Sequence, residues 1–412
     1  METKPEDNNY RWYILVLGAL TNTLAIAIPV MCLPVLFSEI SRDLNLSLVE
    51  VGLIWGIGAL PGILTVLVGG AIGDRFGPKR ILTLCCLLAG LAGALRGLSF
   101  NFFSLAATVF LFGMLTPFFT MNTLKACGLW FPRGQLGIAS GFLAMGMALG
   151  FLLGSLISAT FLSPWLGGWR NVLFLYGFAS MLLSIPWYFS RPDPHPIGLP
   201  ADHTSRLTMR QALSRVARIR NVWLLGLAIL GIGGCIQGTL GYLPLYLRGE
   251  GWPAVGADGA TSALHTASLL CVIPIALWSD RLGSRKKVLL GAALSIIIGI
   301  SLLALVNGSM VWIAVVLTGF VRDGFMAVFM TMIIETDGVG PLYAGTATGL
   351  VMVFSGIGNL VAPPLGNSLA GIAPSLPFLF WAALAVVGFI GIALSKERAA
   401  GESLVVKETR GE

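Results

Sequence analysis

Apolar residues dominate this chain in long runs, separated by short polar and charged turns. A run of about twenty residues is what a helix rising about 1.5 Å per residue needs to cross about 30 Å of hydrocarbon. Twelve such runs can be traced, at 12–37, 48–72, 80–98, 102–126, 134–161, 170–190, 221–247, 259–279, 287–307, 310–334, 343–368 and 374–394. Barrel strands would be shorter and would alternate, so the pattern predicts an all-α membrane protein of twelve transmembrane helices. The longest interruption holds Pro192, Pro194, Pro196 and Pro200, too many prolines for a helix. After it, Thr208 and Gln211 form a candidate capping box that opens a short basic helix with Arg210, Arg215, Arg218 and Arg220. The predicted organisation is a six-helix unit at 1–190, a linker at 191–220 lying against the membrane surface, a second six-helix unit at 221–395, and a disordered mixed-charge tail at 396–412.

Composition strengthens this picture and removes others. Charged residues make up 11% of the chain, against about 25% in a soluble domain, and the mean hydropathy is +0.85. Lipid is therefore the expected solvent. The net charge of +7 does not point to nucleic acid, because the basic residues cluster in the turns, where they suit an anionic leaflet. With both termini inside, 21 of the 26 Lys and Arg residues fall on the inner side, all except Arg42, Arg96, Arg170, Arg248 and Arg322. The positive-inside rule then predicts an integral multi-pass protein of the inner membrane with cytoplasmic termini, its first span acting as an uncleaved signal. The six cysteines lie in or beside apolar runs without metal-ligand spacing and read as packing residues. No phosphate-binding loop and no nucleophile motif is present, so neither a cofactor, a metal nor an enzyme activity is expected.

Two charged turns carry the symmetry. Residues 70–80 read GAIGDRFGPKR, and residues 276–286 read ALWSDRLGSRK, 206 positions later in a chain of 412. Gly70, Asp74, Arg75, Gly77, Lys79 and Arg80 in the first copy, with Asp280, Arg281, Gly283, Arg285 and Lys286 in the second, resemble the signature of the major facilitator superfamily. Residues 129–133 (LWFPR) and 168–170 (GWR) are also similar to pieces of that family. The resemblance implies two pseudo-symmetric six-helix bundles around a cavity that opens alternately to each side. It further implies that Asp74, Arg75 and Arg80 latch the outward-facing state, with Asp280 and Arg281 as the symmetric latch; the alternative is that these charges only fix topology. Val109, four residues before Gly113, and the pair Gly150-Phe151 depart from the pattern of drug exporters in the family. The linker and residues 129–133 look more like organic-anion and monocarboxylate branches.

Within the helices, Arg322 and Asp323 are the sharpest chemical feature, halfway along 310–334. An ionised side chain at that depth must face protein or a water-filled cavity. Arg322 is a candidate ligand for an anionic substrate through its guanidinium fork, or else part of a structural network. Asp323 points about 100° away and is a candidate for proton coupling. Asn22, Gln237, His265 and Asn359 lie near estimated midplanes as further candidate substrate-binding residues, or as ordinary interhelical hydrogen bonders. Lys125 and Asn122 lie toward the inner end of the fourth helix, where snorkelling is the default for a lysine. The expected function is secondary active transport of a small organic solute, an anion first, by alternating access. Possible coupling to a proton would make it a symporter, and it would function as a monomer with lipid as its only other partner. Multidrug or metabolite efflux is the first alternative, and a transport-inactive sensor or scaffold the second.

Overall fold

The computed structural model describes residues 5–62, 65, 76–132, 135–191 and 209–397. Its helices are α1 (Asn9–Asp43), α2 (Leu48–Gly62), α3 (Pro78–Gly97), α4 (Phe102–Trp130), α5 (Leu136–Leu166), α6 (Trp169–Phe189), α7 (Arg220–Gly249), α8 (Ala254–Leu282), α9 (Arg285–Leu305), α10 (Met310–Ile334), α11 (Gly340–Leu369) and α12 (Leu376–Leu394). Eleven are long and apolar enough to cross a membrane; α2 is shorter within the described residues. A short helix, Met209–Val216, precedes α7 where the linker's basic residues predict one. Thr208, the predicted cap, lies outside the described residues.

The two halves repeat one plan. In the first, α3 packs on α4 and α6, α5 on α1, and α2 on α4; in the second, α9 packs on α10 and α12, α11 on α7, and α8 on α10. The turns are set by local chemistry: Ser47 and Glu50 form a capping box that starts α2, and Asn101 and Ser104 form another at the start of α4. The GWR segment ties three helix ends together. Trp169 Nε1 and Arg170 Nη2 both donate to Asp43 Oδ2, at 3.1 and 2.8 Å, while Arg170 Nη1 donates to the carbonyls of Gly97 and Ser99. The LWFPR segment anchors the start of α1, with Trp130 against Tyr10 and Phe131 edge-on to Trp12.

Glycine decides how closely the helices approach. An added Cβ at Gly146, Gly150 or Gly154 of α5 would meet Ala19, Ala27 or Ile28 of α1 at 2.9 Å or less. Spaced four residues apart, these three glycines form one small face, and that face is the α1–α5 contact. The double proline of α11 faces the other bundle: a Cβ at Gly52 of α2 would lie 2.7 Å from Pro364 Cα.

Among the described residues the bundles touch through four helix pairs, α1–α7, α2–α7, α2–α11 and α5–α8. Trp55 Nε1 donates to Gln237 O at 2.7 Å, Asn367 Nδ2 to Leu48 O at 2.8 Å, and the Ser155 and Ser262 hydroxyls lie 2.9 Å apart. All three bonds sit in the halves of these helices remote from the chain termini. Toward the termini the glycines of two of these helices are uncovered: a Cβ at Gly137 or Gly141 of α5, or at Gly345 or Gly349 of α11, would meet nothing within 4 Å. Among the described residues the protein is sealed on the side remote from its termini, where every hydrogen bond between the bundles lies, and open on the side that carries them.

Candidate functional site: a broken helix at the bundle interface

The α10 segment is two helices, Met310–Gly319 and Arg322–Ile334, separated by a turn at Phe320 and Val321. Glycines bracket the break and let α8 lie flush against it on both sides. A Cβ at Gly319 would fall 2.3 Å from Leu264 O, and one at Gly324 would fall 2.7 Å from Ile275 Cγ2. This close packing brings His265 and Ser268 of α8 alongside Arg322 and Asp323. Arg322 Nη1 lies 3.2 Å from His265 Nδ1, and the backbone N–H of Asp323 donates to Ser268 Oγ at 3.1 Å.

A guanidinium can only donate, so His265 Nδ1 accepts and the ring proton belongs on Nε2. That Nε2–H is buried and has no hydrogen-bond partner among the described residues. Phe151 of α5 covers the pair from the opposite bundle, its ring 5.6 Å from the His265 ring and 5.8 Å from Arg322 Cζ. Arg322 therefore faces the bundle interface. Arg322 and Asp323 are less independent than a regular helix implies: Nη1 and Oδ1 approach to 3.6 Å, with side chains 15% and 36% exposed. The break in α10 accounts for this, because both residues occupy the first turn of a new helix. A helix N-terminal turn and a guanidinium at the same place make a setting for negative charge.

The other sequence candidates fall in different places. Gln237 lies on α7 at the interface, its carbonyl taken by Trp55. Asn359 of α11 has a buried Oδ1 without a partner among the described residues, close to the Gly233 position of α7. Asn22 is held inside the first bundle, donating to Leu143 O at 3.1 Å and accepting from Thr123 Oγ1 at 3.4 Å. It begins a π-helical stretch, Asn22–Ala27, in the middle of α1. Asn122 bonds Phe118 O on its own helix.

Of the signature turns, Gly70, Asp74 and Arg75 lie outside the described residues, as does the side chain of Asp280. Gly77 adopts φ +82°, which admits glycine readily, and precedes α3; Gly283 adopts φ +61° at the end of α8. Arg80 and Arg281 are exposed. Arg285 reaches Ser279 Oγ at 3.2 Å and Glu335 at 3.6 Å. Its backbone N–H, with that of Lys286 and the Ser284 hydroxyl, donates to the Glu397 carboxylate, which caps α9. Lys396 and Glu397, assigned to the tail by sequence, are thus held, with Asn221 clasping Lys396 through both backbone groups.

Sequence reasoning did not find the break in α10, the Phe151 cover or the Ser268 contact. The one available signal was the pair Gly319 and Gly324 around Arg322 and Asp323. Among the described residues no cluster of His, Cys, Asp and Glu is arranged to hold a metal.

Comparison with known proteins agrees with this architecture. The family model described as Major Facilitator Superfamily matches residues 15–335 and 258–410. A protein of Cupriavidus necator, named as a probable sulfoacetate transporter, is 25% identical over 85% of this chain and 85% of its own. The cis,cis-muconate transport protein of Acinetobacter baylyi is 26% identical over 95% and 96% of the two chains. A probable nitrate/nitrite antiporter of Thermus thermophilus is 25% identical over 93% and 91%. Among solved structures, a bacterial homologue of the human lysosomal transporter Spinster, in an inward-facing and occupied conformation, superposes with a TM-score of 0.77 at 16% identity, covering 95% and 96% of the chains. With twelve helices in two repeated bundles and a family match along nearly its whole length, the chain belongs to the Major Facilitator Superfamily and is a membrane transporter.

Proposed function

We propose that this transporter carries a small organic anion, bound at the break in α10 and moved by alternating access. The carrying observation is Arg322 at the first turn of a half-helix, facing Phe151 across the bundle interface. Three features support a negatively charged cargo. The guanidinium fork matches carboxylate or sulfonate oxygens. The N-terminal turn of the second half-helix adds its backbone dipole. The buried Nε2–H of His265 is a further donor with no acceptor among the described residues. The names of three relatives, which specify sulfoacetate, muconate and nitrate/nitrite, are all of anions.

Asp323 competes for the same guanidinium, at 3.6 Å. A substrate anion that takes Arg322 leaves this carboxylate without its counter-charge, and a proton on Asp323 restores the balance. Proton symport follows from that exchange, with Asp323 as the coupling residue. The Lys and Arg distribution supports an inner-membrane location with cytoplasmic termini, which makes the open side cytoplasmic. The signature turns would then close that side in the opposite state. The transporter acts as a monomer, needs no cofactor and performs no covalent chemistry.

The test is a proteoliposome screen of carboxylates, sulfonates and neutral solutes, with and without a pH gradient. Carboxylates or sulfonates should be transported by the parent, and not when Arg322 is neutralised. A folded Arg322→Gln protein that moves every substrate at the parent rate refutes the anion site. Substrate-driven internal acidification that survives Asp323→Asn removes Asp323 from coupling.

A further inference from the structure

The sealed side of the interface holds a second set of charges that the anion site does not use. Arg248 lies at the end of α7 and Asp258 in the first turns of α8, joined Nη2 to Oδ1 at 2.6 Å. Both belong to the second bundle, yet each also bonds the first. Arg248 Nη1 donates to Val35 O at 2.5 Å and to Ser38 Oγ at 2.6 Å on α1. Thr160 Oγ1 of α5 donates to Asp258 Oδ2 at 2.6 Å. About one turn deeper on α8, Ser262 meets Ser155 of α5. Asp258 is 0% exposed.

One ion pair thus fastens two helices of the opposite bundle at once. Its bonds to the first bundle all involve an ionised partner, and such bonds are shorter and stronger than neutral ones. Opening this side separates α1 and α5 from α7 and α8. Arg248 and Asp258 keep each other in that movement, while the bonds to Val35, Ser38 and Thr160 break. Another acid near the pair, Glu39 on α1, accepts from Ser163 Oγ at 2.5 Å within its own bundle. It does not cross the seam through that bond.

We propose that the Arg248–Asp258 pair is the lock of the side remote from the termini, with the charge of Asp258 setting how long the seal lasts. Without that charge Arg248 keeps only neutral acceptors, and Thr160 loses the carboxylate to which it donates. The lock is independent of what the transporter carries and of the role of Arg322.

Hydrogen–deuterium exchange of the full chain in lipid nanodiscs tests this without a substrate. Exchange at 35–43, 155–166 and 244–262 should rise about 10-fold in Asp258→Asn and about 3-fold in Thr160→Val. It should fall at 136–145 and 340–350, which close when the far side opens. Because Thr160 acts through Asp258, the double variant should match Asp258→Asn. Thr160→Val is nearly isosteric and keeps the test available if Asp258→Asn fails to assemble. Unchanged exchange on the sealed side overturns the proposal. So does a uniform rise that includes α9 and α12, which would mark general destabilisation.

Discussion

Arg96 in the last turn of α3 and Arg322 at the break in α10 are both arginines held within the protein, and their surroundings differ. Arg96 is the more deeply buried, at 1% exposure. It donates from Nη1 to Pro29 O at 2.8 Å and lies 4.4 Å from the centre of the Phe112 ring, with its other terminal nitrogen unpartnered. Every one of these contacts stays inside the first bundle, where Arg96 braces the middle of α1 just after its π-helical stretch. Arg322 is less buried, sits at a helix break, and meets an aromatic ring of the other bundle. Burial alone therefore does not separate the two arginines; what each charge faces does.

The largest expected effect tests that distinction directly. Arg322→Gln should lower anion transport in proteoliposomes about 100-fold, the loss of one or two hydrogen bonds to a charged group at about 1.5–3 kcal/mol each. Its melting temperature in detergent should stay near the parent's. Arg96 should behave in reverse. Arg96→Ala leaves a cavity and should destabilise the protein by about 3 kcal/mol, as for other large buried side chains. Arg96→Met fills the space and removes the unpartnered buried nitrogen, so stability and transport should both stay near the parent level. A transport defect in Arg96→Met with normal folding would break the comparison, because it would give Arg96 a part in the cycle.

Smaller effects sharpen the contrast between sealed and open helix halves. Gly150→Leu drives a side chain into Ala27 and Thr23 and should cost about 1–3 kcal/mol in thermal or denaturant unfolding. Gly141→Ala, on the open half of the same helix, should change stability by less than about 0.5 kcal/mol. Glu397→Gln weakens the cap on α9 and should cost about 1 kcal/mol, measured in the same way, with transport retained.

Much of the fold was legible because a membrane imposes a length rule on every crossing segment. Ten of the twelve predicted runs agree with the observed helices within five residues at both ends, and 310–334 matches in both its bounds. The first helix, α1, runs six residues past its predicted end, and the predicted end of the second run, at 72, lies outside the described residues. Gly146, Gly150 and Gly154, four residues apart, mark a face for close contact, but nothing in their spacing says that α1 is the partner. The chemical candidates were less legible. Asn22 and Gln237 look alike in sequence as polar residues in apolar helices. The fold turns one inward to Leu143 and Thr123 and sets the other at the bundle interface. Arg248 and Asp258 read as ordinary flanking charges near a predicted loop, because nothing local says that α1 and α5 will arrive beside them.

The sequence alone determined an all-helical membrane protein, its division into two repeated halves, and the presence of a charge pair at mid-helix depth. Hydropathy, repeat spacing and charge are local quantities, and the solvent enforces them segment by segment. Tertiary structure decided which side of the molecule is sealed, that Arg322 opens a half-helix beneath Phe151, and that Arg96 is a brace. Those outcomes depend on which helix faces lie against one another, and contacts between residues far apart in the chain decide that.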